Sequence, residues 1–340
     1  MRAARVHGPG DLRVDAIPAP RCGPRDVVVA VRACGICGSD LTYVATGGVT
    51  GPVAEPIGLG HEFAGVVEQV GSDVAGVAPG MRVVVNPMGD GNAIGNGAPE
   101  GAFAPRIVVR NASLGGSILP IPDGMSFDRA ALAEPLSVSL HSVARSGSVV
   151  GDKVAVFGVG PIGLGIVHAL ARMGVREIAA IDLSDERLER ARLLGAAATI
   201  NPARDDVRAA LGALHGTGEL FGWATVGTNR YFDVSGAPSV VGEVIAMAPF
   251  HAHLTVVAVH KHPVPVDFHM ALGKEMTITT SMAYPDEFPQ ALALLGEDGD
   301  LSAMVSHSFG FDRFDEAFAM ARDAQNSAKV MVTFAESATI

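Results

Sequence analysis

The sequence contains few cysteines and few aromatic residues. Its 340 residues include three cysteines, and Phe, Trp and Tyr together make up 5%. Cys22, Cys34 and Cys37 all lie near the N-terminus, and an odd, clustered set of thiols does not describe a framework of disulfides. The chain also lacks the fourth thiol that a four-cysteine structural zinc site requires. The small aromatic content offers no stacking surface for single-stranded nucleic acid.

The chain also has no net positive charge and no long apolar run. Lys and Arg number 25 against 36 Asp and Glu, and the net charge of -11 argues against nucleic acid or an anionic membrane as a partner. No uncharged apolar run reaches the roughly 18 to 20 residues that a membrane span needs. The N-terminal residues lack the apolar region of a secretory signal. We therefore expect a cytoplasmic protein without a nucleic-acid or membrane partner.

Length and pattern predict two domains of different architecture, because 340 residues exceed what one core usually serves. Up to about residue 140, short strands are separated by Gly and Pro, which is typical of a small β-barrel with long loops. The predicted strands here are 27–33, 63–70 and 82–85. From about residue 150, strands and helices alternate, which predicts a parallel sheet. The predicted elements are strands at 153–157 and 177–181 and helices at 161–173, 185–194, 288–295 and 314–323.

A glycine-rich loop at 158–163, with the sequence GVGPIG, follows one predicted strand and opens a helix. This context is typical of a dinucleotide site, where glycines allow a tight turn and a close approach to the pyrophosphate. The loop residues expected to bind the cofactor are Gly158, Gly160, Pro161, Ile162 and Gly163. Asp182 ends the next strand and can accept hydrogen bonds from the adenosine ribose, which predicts NAD over NADP. Arg187 weakens this preference, because an arginine near the ribose tolerates a phosphate.

Four residues supply ligands suited to one zinc ion: Cys37, His61, Glu62 and Glu134. Catalytic zinc sites use thiolate, imidazole and carboxylate and keep one position open. One thiolate and one carboxylate neutralise the dication, so we expect one of Glu62 and Glu134 in the inner shell at a time. The alternative for the cysteines is a thioredoxin-like CxxC pair, which the surrounding glycines disfavour. We interpret Cys34 as a small buried hydrophobe.

Two polar residues near Cys37 are candidates for roles around the metal. Ser39 lies two residues after Cys37 and is a candidate to receive a proton from a zinc-bound alcohol. Asp40 is a candidate to orient His61 from outside the ligand shell. In this hypothesis the deprotonated alcohol then gives a hydride to the nicotinamide ring, with zinc supplying the acidification.

These motifs resemble those of the zinc-dependent medium-chain dehydrogenases, and in particular the branch of sorbitol, idonate and butanediol dehydrogenases. The resemblance spans essentially the whole chain and is carried by GICGSD at 35–40, EPIGLGHEFAG at 55–65, LAEPLSVSLH at 132–141, GVGPIG at 158–163, FDVSGAP at 232–238 and KVMV at 329–332. It implies an NAD-dependent enzyme that interconverts a small secondary alcohol or polyol and its ketone.

The same resemblance implies the domain organisation. A GroES-like β-barrel catalytic domain would comprise residues 1–145 and 288–340, and a Rossmann domain with a doubly wound parallel sheet would comprise residues 146–287. The active site would lie in the cleft, with zinc on Cys37, His61 and either Glu62 or Glu134, and with Lys329 near the cofactor phosphates. Homodimers or homotetramers are usual in such families.

The chain departs from the family pattern in two places. The loop that often carries four zinc-binding cysteines is cysteine-free here and begins Asn86-Pro87-Met88, so we predict one catalytic zinc per chain and no structural zinc. Thr42 stands where the pattern generally has histidine. A threonine passes a proton without holding a charge, so proton release would depend on water.

Two alternatives remain open: a zinc-free quinone or enoyl reductase on the same scaffold, and a nicotinamide-binding redox sensor without catalysis. Four histidines, His251, His253, His260 and His262, alternate in pairs around a predicted strand. We interpret them as surface or interface residues. The segment around Trp223 has no interpretation from the sequence.

Overall fold

The computed structural model describes residues 1–297 and 301–335. Its N-terminal part comprises, in chain order, β1 (Arg2–Gly8), β2 (Asp11–Ala16), β3 (Val27–Ile36), α1 (Gly38–Thr46), β4 (Ile57–Gly58), β5 (Glu62–Val70), β6 (Arg82–Val85), β7 (Arg106–Val109), β8 (Ile118–Pro120), α2 (Phe127–Ala131) and α3 (Ala133–Ser146). The alternating part comprises β9 (Lys153–Phe157), α4 (Pro161–Met173), β10 (Glu177–Ile181), α5 (Asp185–Leu193), β11 (Ala198–Ile200), α6 (Val207–His215), β12 (Thr217–Leu220), β13 (Trp223–Val226), β14 (Arg230–Asp233), α7 (Val240–Met247), β15 (His253–Val256), α8 (Phe268–Gly273) and β16 (Thr277–Thr280). The C-terminal part comprises α9 (Phe288–Glu297), β17 (Val305–Gly310), α10 (Phe314–Arg322) and β18 (Lys329–Thr333).

The chain forms two compact units. The first contains Met1–Glu134, the described residues of Phe288–Asp323, and the strand that begins at Lys329. The second contains Pro135–Glu287 and Ala324–Ala328. The sequence places the first division after residue 145, within α3, whereas the contacts divide the chain at the start of that helix. In the part of the chain that the structure describes, no helix is long and apolar enough to cross a membrane.

The first unit is built around β3. This strand pairs antiparallel with β5 on one side and with β7 and β18 on the other, and nine of its ten residues are buried. A strand covered on both faces has a nearly continuous apolar sequence, as in Val27 to Val31. Because β18 joins this sheet, the C-terminal segment contributes to the same core as the N-terminal strands. The ends of β3, β5 and β18 therefore lie close together.

The second unit contains a parallel sheet. Among its described residues the strand order is β11, β10, β9, β14, β15, β16, and each neighbouring pair is parallel. The order reverses next to β9, since the chain moves outward to β10 and β11 and then returns to β14. In such a doubly wound sheet, ligands bind beyond the carboxyl ends of the strands where the order reverses.

A hairpin formed by β12 and β13 accounts for the segment around Trp223. The two strands pair antiparallel, and the turn residue Phe221 has a φ of 53°. A phenylalanine in the left-handed region is uncommon, so Gly222, with a φ of 82°, is the only residue of this turn with an ordinary turn signal. Trp223 packs against α8, where an added Cβ at Gly273 would lie 2.9 Å from the indole.

The cysteine-free loop after β6 is held by one carboxylate. Asp90 accepts hydrogen bonds from the backbone N–H groups of Ser113 and Ser117 at 2.9 and 2.8 Å, and from their hydroxyls at 2.8 and 2.6 Å. Asp90 itself has a φ of 56°. Burial opposes its ionisation, but the hydrogen bonds from Ser117 and Ser113 outweigh this and lower the pKa of Asp90. The carboxylate thus links the loop after β6 to the connection between β7 and β8.

We expect Asp90→Ala to lower the free energy of unfolding by about 1–2 kcal/mol at pH 7, since four hydrogen bonds to a partly solvated charge are lost. A carboxyl group with a lowered pKa stabilises the fold above its unfolded value of about 3.9, and this contribution disappears at lower pH. Thermal melting at pH 7 and pH 3 should therefore show a gap between variant and wild type that closes in acid. Asp123→Ala, at an exposed carboxylate, is the control. A gap that stays constant with pH would contradict the role of the Asp90 charge.

Candidate metal and cofactor site

Cys37 lies at the junction of β3 and α1. It is the residue before the first turn of α1, and its backbone N–H donates to the Asp40 carboxylate at 2.9 Å. The other Asp40 oxygen accepts from the N–H of Gly60 at 3.1 Å. Asp40 therefore holds the start of α1 next to the start of β5, and this brings Cys37 to His61. The glycines around the CxxC pair argue against a helix that starts there, as in thioredoxin, but this part of the argument is wrong, because Cys37 does precede a helix. Cys34 is fully buried, as predicted.

One group of side chains in the described part of the chain is arranged to hold a metal ion. The ligand atoms of Cys37, His61 and Glu62 all lie within 4.8 Å of one another. His61 is 3% exposed and Glu62 is fully buried. Thiolate, imidazole and carboxylate are the ligands that catalytic zinc sites use. We refer to these three residues as the metal cluster.

The two nitrogens of His61 face different partners. Nε2 lies 3.5 Å from the Ser39 hydroxyl, whereas Nδ1 faces Asp40 Oδ1 at 3.8 Å. Burial works against the charged imidazole, yet Asp40, Cys37 and Glu134 hold the pKa of His61 well above its ordinary value. A carboxylate behind a histidine is the usual arrangement around a bound metal. The surplus of negative charge attracts a cation.

Two buried atoms of the metal cluster lack a hydrogen-bond partner: Nδ1 of His61 and Oε2 of Glu62. A buried polar atom without a partner costs about 1–3 kcal/mol. A metal ion held by the Glu62 oxygen would give that oxygen a partner, and with His61 Nε2 as a ligand the Nδ1–H would be left to face Asp40. The residues present therefore fit the zinc ion that the sequence predicts.

Glu62 forms a buried ion pair with Lys329. The amine lies 2.5 Å from Glu62 Oε1 and donates to the Ile36 carbonyl at 3.0 Å. Burial opposes the charge on Lys329, but Glu62 and Cys37 raise its pKa. Gly35 makes room for the pair, since an added Cβ there would lie 2.1 Å from Glu62 Oε2. The pair thus neutralises one oxygen of Glu62 and leaves the other for the metal cluster.

This placement differs from the predicted role of Lys329 at the cofactor phosphates. The side chain is 1% exposed, and its amine is bound to the carboxylate and a carbonyl within the first unit. A phosphate would have to displace Glu62 to reach it. The register of β18 against β3, in which Val330 pairs with Ile36, fixes Lys329 beside Glu62.

Glu134, Ser39 and Thr42 lie around the metal cluster in different ways. Glu134, at the start of α3, is 7% exposed, and its charge contributes to the raised pKa of His61. It is not among the residues whose ligand atoms lie within 4.8 Å of each other. Ser39 contacts His61, as described above. The Thr42 hydroxyl donates to the Gly38 carbonyl at 3.1 Å, which directs it along its own helix rather than toward Ser39.

The glycine-rich loop lies between β9 and α4 of the second unit. Gly158 has a φ of 87°, and an added Cβ would lie 2.8 Å from the backbone of Ser235. At Gly163 the added Cβ would lie 2.0 Å from the Gly158 carbonyl oxygen. Gly160 precedes the first residue of α4, Pro161, and Ile162 follows it. The start of a helix after such a loop is a favourable place for a pyrophosphate, because its first backbone N–H groups have no partner within the helix.

Asp182 and Arg187 lie beside this loop. Asp182 accepts hydrogen bonds from the N–H groups of Val159 and Ser184 at 2.8 and 2.9 Å. The Arg187 guanidinium lies 4.0 Å from the Asp182 carboxylate and donates to the Ser327 carbonyl at 2.7 Å. An added Cβ at Gly160 would lie 3.7 Å from the guanidinium. The structure thus places Gly158, Gly160, Asp182 and Arg187 together.

Both parts of the chain match known domain families. Residues 23–123 match the alcohol dehydrogenase GroES-like domain, and residues 161–297 match the zinc-binding dehydrogenase family. The predicted fold is thereby confirmed: a GroES-like domain and a Rossmann domain with a parallel sheet.

Similar proteins are known as whole chains. The sequence is 32% identical to the (R,R)-butanediol dehydrogenase of Bacillus subtilis, with 98% of this chain and 99% of the relative covered. A crystal structure of 2R,3R-butanediol dehydrogenase from that organism superposes with a TM-score of 0.85 at 30% identity, covering 98% of this chain and 99% of the other. Human sorbitol dehydrogenase is 30% identical, with 92% of this chain and 90% of the relative covered.

A third relative carries a cofactor in its crystal structure. It is an Escherichia coli CFT073 alcohol dehydrogenase, described as short-chain, in complex with NADH. It superposes with a TM-score of 0.85 at 25% identity, with 98% of this chain and 99% of the other covered. From its domains and its relatives, the chain belongs to the zinc-containing medium-chain alcohol dehydrogenase family, as a relative of butanediol and sorbitol dehydrogenases.

Proposed function

We propose that this protein interconverts a small secondary alcohol or polyol and the matching ketone, with NAD as the hydride acceptor and one zinc ion per chain. The observation that supports this most strongly is the metal cluster, in which a buried Glu62 oxygen has no hydrogen-bond partner beside Cys37 and His61. Such a cluster disfavours a zinc-free reductase, which has no use for these ligands. Bound zinc supplies a Lewis acid that lowers the pKa of an oxygen ligand.

The chain's own residues suggest how a proton leaves the site. The Ser39 hydroxyl lies 3.5 Å from His61 Nε2 and also hydrogen bonds to Tyr43. The Tyr43 hydroxyl in turn donates to the Asn96 side chain at 3.2 Å. We propose that Ser39 takes the proton of the substrate hydroxyl and passes it toward Tyr43. Thr42, whose hydroxyl is bound to its own helix, is then outside this path.

The proposal also assigns roles to Glu134 and to the glycine-rich loop. Glu134 stays the alternative or exchanging zinc ligand, since its charge acts on His61. The glycine-rich loop and α4 bind the pyrophosphate, and Asp182 accepts hydrogen bonds from the adenosine ribose. The absence of a structural zinc, a homodimeric or homotetrameric assembly and a cytoplasmic location remain predictions.

The substrate class is tested by NADH formation at 340 nm across vicinal diols, polyols, sugar acids and plain secondary alcohols. Each is assayed with and without chelator, and with NADP in parallel. Chelator-sensitive activity with NAD on at least one class is expected. Cofactor binding without turnover on any alcohol or ketone would instead favour a redox sensor, and chelator-resistant turnover would favour a zinc-free reductase.

We predict that Asp182→Asn changes the preference between the cofactors. The carboxylate repels the 2'-phosphate of NADP, and removing its charge should shift the ratio of NADH to NADPH affinity by about tenfold toward NADPH, a difference of about 1.4 kcal/mol. Fluorescence titration with both reduced cofactors measures the ratio. Asp185→Asn is the matched control, because Asp185 lies three residues further on and is 65% exposed. An unchanged ratio in Asp182→Asn would remove Asp182 from the ribose site.

A further inference from the structure

A histidine and a buried aspartate lie together at the carboxyl ends of β14 and β15. Asp233 is the last residue of β14 and is fully buried, and its Oδ2 lies 2.9 Å from Nε2 of His260. Its Oδ1 accepts hydrogen bonds from the N–H of Ser235 at 3.1 Å, the Ser235 hydroxyl at 3.0 Å and the N–H of Gly236 at 3.1 Å. The aspartate is therefore fixed, and it fixes the imidazole in turn.

The turn that follows Asp233 lies against the glycine-rich loop. β14 pairs with β9 at the point where the strand order of the sheet reverses. Gly158, directly after β9, approaches the turn that Asp233 holds so closely that an added Cβ would lie 2.8 Å from Ser235 Cα. The backbone N–H groups of Val257 and Ala258 both donate to the Asp233 carbonyl, at 2.9 and 3.0 Å. His260 thus follows a backbone segment that is anchored at the edge of the crevice.

The two sides of the reversal point serve different halves of a dinucleotide. Asp182, at the end of β10, lies on one side and is assigned to the adenosine half. His260, after β15, lies on the other side. We infer that His260, held by Asp233, binds the nicotinamide nucleotide half of the cofactor. This inference rests on the proposed function, and it adds a residue that the glycine-rich motif does not include.

The chemistry of the imidazole defines the contact. A carboxylate accepts the proton of Nε2, so Nδ1 is the ring nitrogen left for a ligand, and in the neutral ring it is an acceptor. Nε2 is the ring nitrogen that is hydrogen bonded within the described residues. The side chain is 16% exposed, which leaves an opening for a ligand. Nδ1 would accept a hydrogen bond from a ribose hydroxyl or from the carboxamide N–H of the nicotinamide riboside.

The other histidines of this region differ from His260. His251 pairs with Glu275 on the surface, where both side chains are more than 60% exposed, at 64% and 65%. His253 contacts the Thr279 hydroxyl at 2.8 Å. The interpretation of these residues as surface histidines does not hold for His260, which contacts a buried carboxylate. The alternation of the histidines in the sequence does not reveal that His260 contacts a buried carboxylate whereas His251 lies on the surface.

Calorimetric titration of the full chain with NADH and with ADP tests the inference, because ADP lacks the nicotinamide nucleotide. For His260→Ala we expect NADH to bind about three- to tenfold more weakly, the loss of one hydrogen bond, while ADP affinity stays within about twofold. His260→Lys still supplies a hydrogen-bond donor to Asp233 but has no acceptor. This second variant keeps the test valid if the alanine variant does not fold. The ratio of NADH to ADP affinity of His260→Lys should fall as well. His251→Ala is the control and should match the wild type.

Other results would overturn the inference. If both His260 variants keep the wild-type ratio of NADH to ADP affinity, His260 does not contact the nicotinamide half. If NADH and ADP both bind more weakly by the same factor, His260 supports the loop as a whole and does not contact the nicotinamide half specifically. A wild-type chain that binds ADP but not NADH would overturn the proposed function itself, and that outcome is visible before any variant is made.

Discussion

We expect Cys37→Ser to lower turnover by about a thousandfold or more, because a zinc ion contributes several kcal/mol to the reaction and each 1.36 kcal/mol is tenfold in rate. The substitution removes the thiolate, which is one of the two anionic ligands of the metal cluster. NADH binding should stay within about twofold of the wild type, because the glycine-rich loop and Asp182 belong to the second unit. The variant should also lose its zinc, measured by elemental analysis.

Cys22→Ser is the matched control for this experiment. Cys22 is half-buried, and its thiol donates to the Asp26 carbonyl at 3.2 Å, outside the metal cluster. It should retain turnover, zinc and NADH binding. Turnover that survives in Cys37→Ser would mean that the metal cluster does not carry the reaction. Parallel loss of NADH binding would mean that the substitution had disturbed the fold.

The second large effect is expected at Lys329. Lys329→Met removes the amine and leaves the Glu62 carboxylate buried without its cation. Breaking a buried ion pair in this way costs about 3–5 kcal/mol. The loss should be measured as the free energy of unfolding of the metal-free chain, so that zinc binding does not compensate for it. The double variant Lys329→Met with Glu62→Gln should recover most of the loss, because no buried charge is then left without a partner.

Lys261→Met, at an exposed lysine, controls for the loss of a positive charge. It should change the free energy of unfolding by no more than about 0.5 kcal/mol. If Lys329→Met costs less than about 1 kcal/mol, the ion pair contributes no more than a surface pair would. Failure of the double variant to recover stability would show that Lys329 supports β18 by packing instead.

The sequence predicts much of the fold because many elements have unambiguous local signals. The strand at Lys153–Phe157, the helix at Pro161–Met173 and the strand at Glu177–Ile181 are observed with the predicted bounds. The two strands are short apolar runs. The helix is an amphipathic segment that begins at Pro161 and is followed by Gly174. The predicted strand at 27–33 extends to Ile36, because its pairing with β18 continues there. Pairing partners so distant in sequence leave no local pattern.

The candidate site could be predicted in part for the same reason. Cys37, His61 and Glu62 are brought together as the motif indicates. The ion pair between Glu62 and Lys329 could not be deduced, because it depends on the register between two strands that are far apart in the chain. Gly35 was a possible signal, since a glycine inside a buried strand often marks a close approach of another group.

Two other features depend on single side-chain contacts that no sequence period reveals. Asp90 bonds to serines in the connection between β7 and β8, and His260 bonds to a buried aspartate on a neighbouring strand. In both cases the residue looks like an ordinary surface polar group in the sequence. Its role follows from which buried or backbone groups the tertiary fold places beside it.

The most direct test of the account is reconstitution with zinc. The chain is stripped of metal with a chelator, and NADH formation on the best alcohol of the panel is followed as zinc is returned in steps. We predict no activity in the stripped protein and full recovery at about one equivalent per chain, with Cys37→Ser inert throughout. Activity that persists without zinc, or that rises only with a second tightly bound equivalent, would contradict the single catalytic site at Cys37, His61 and Glu62.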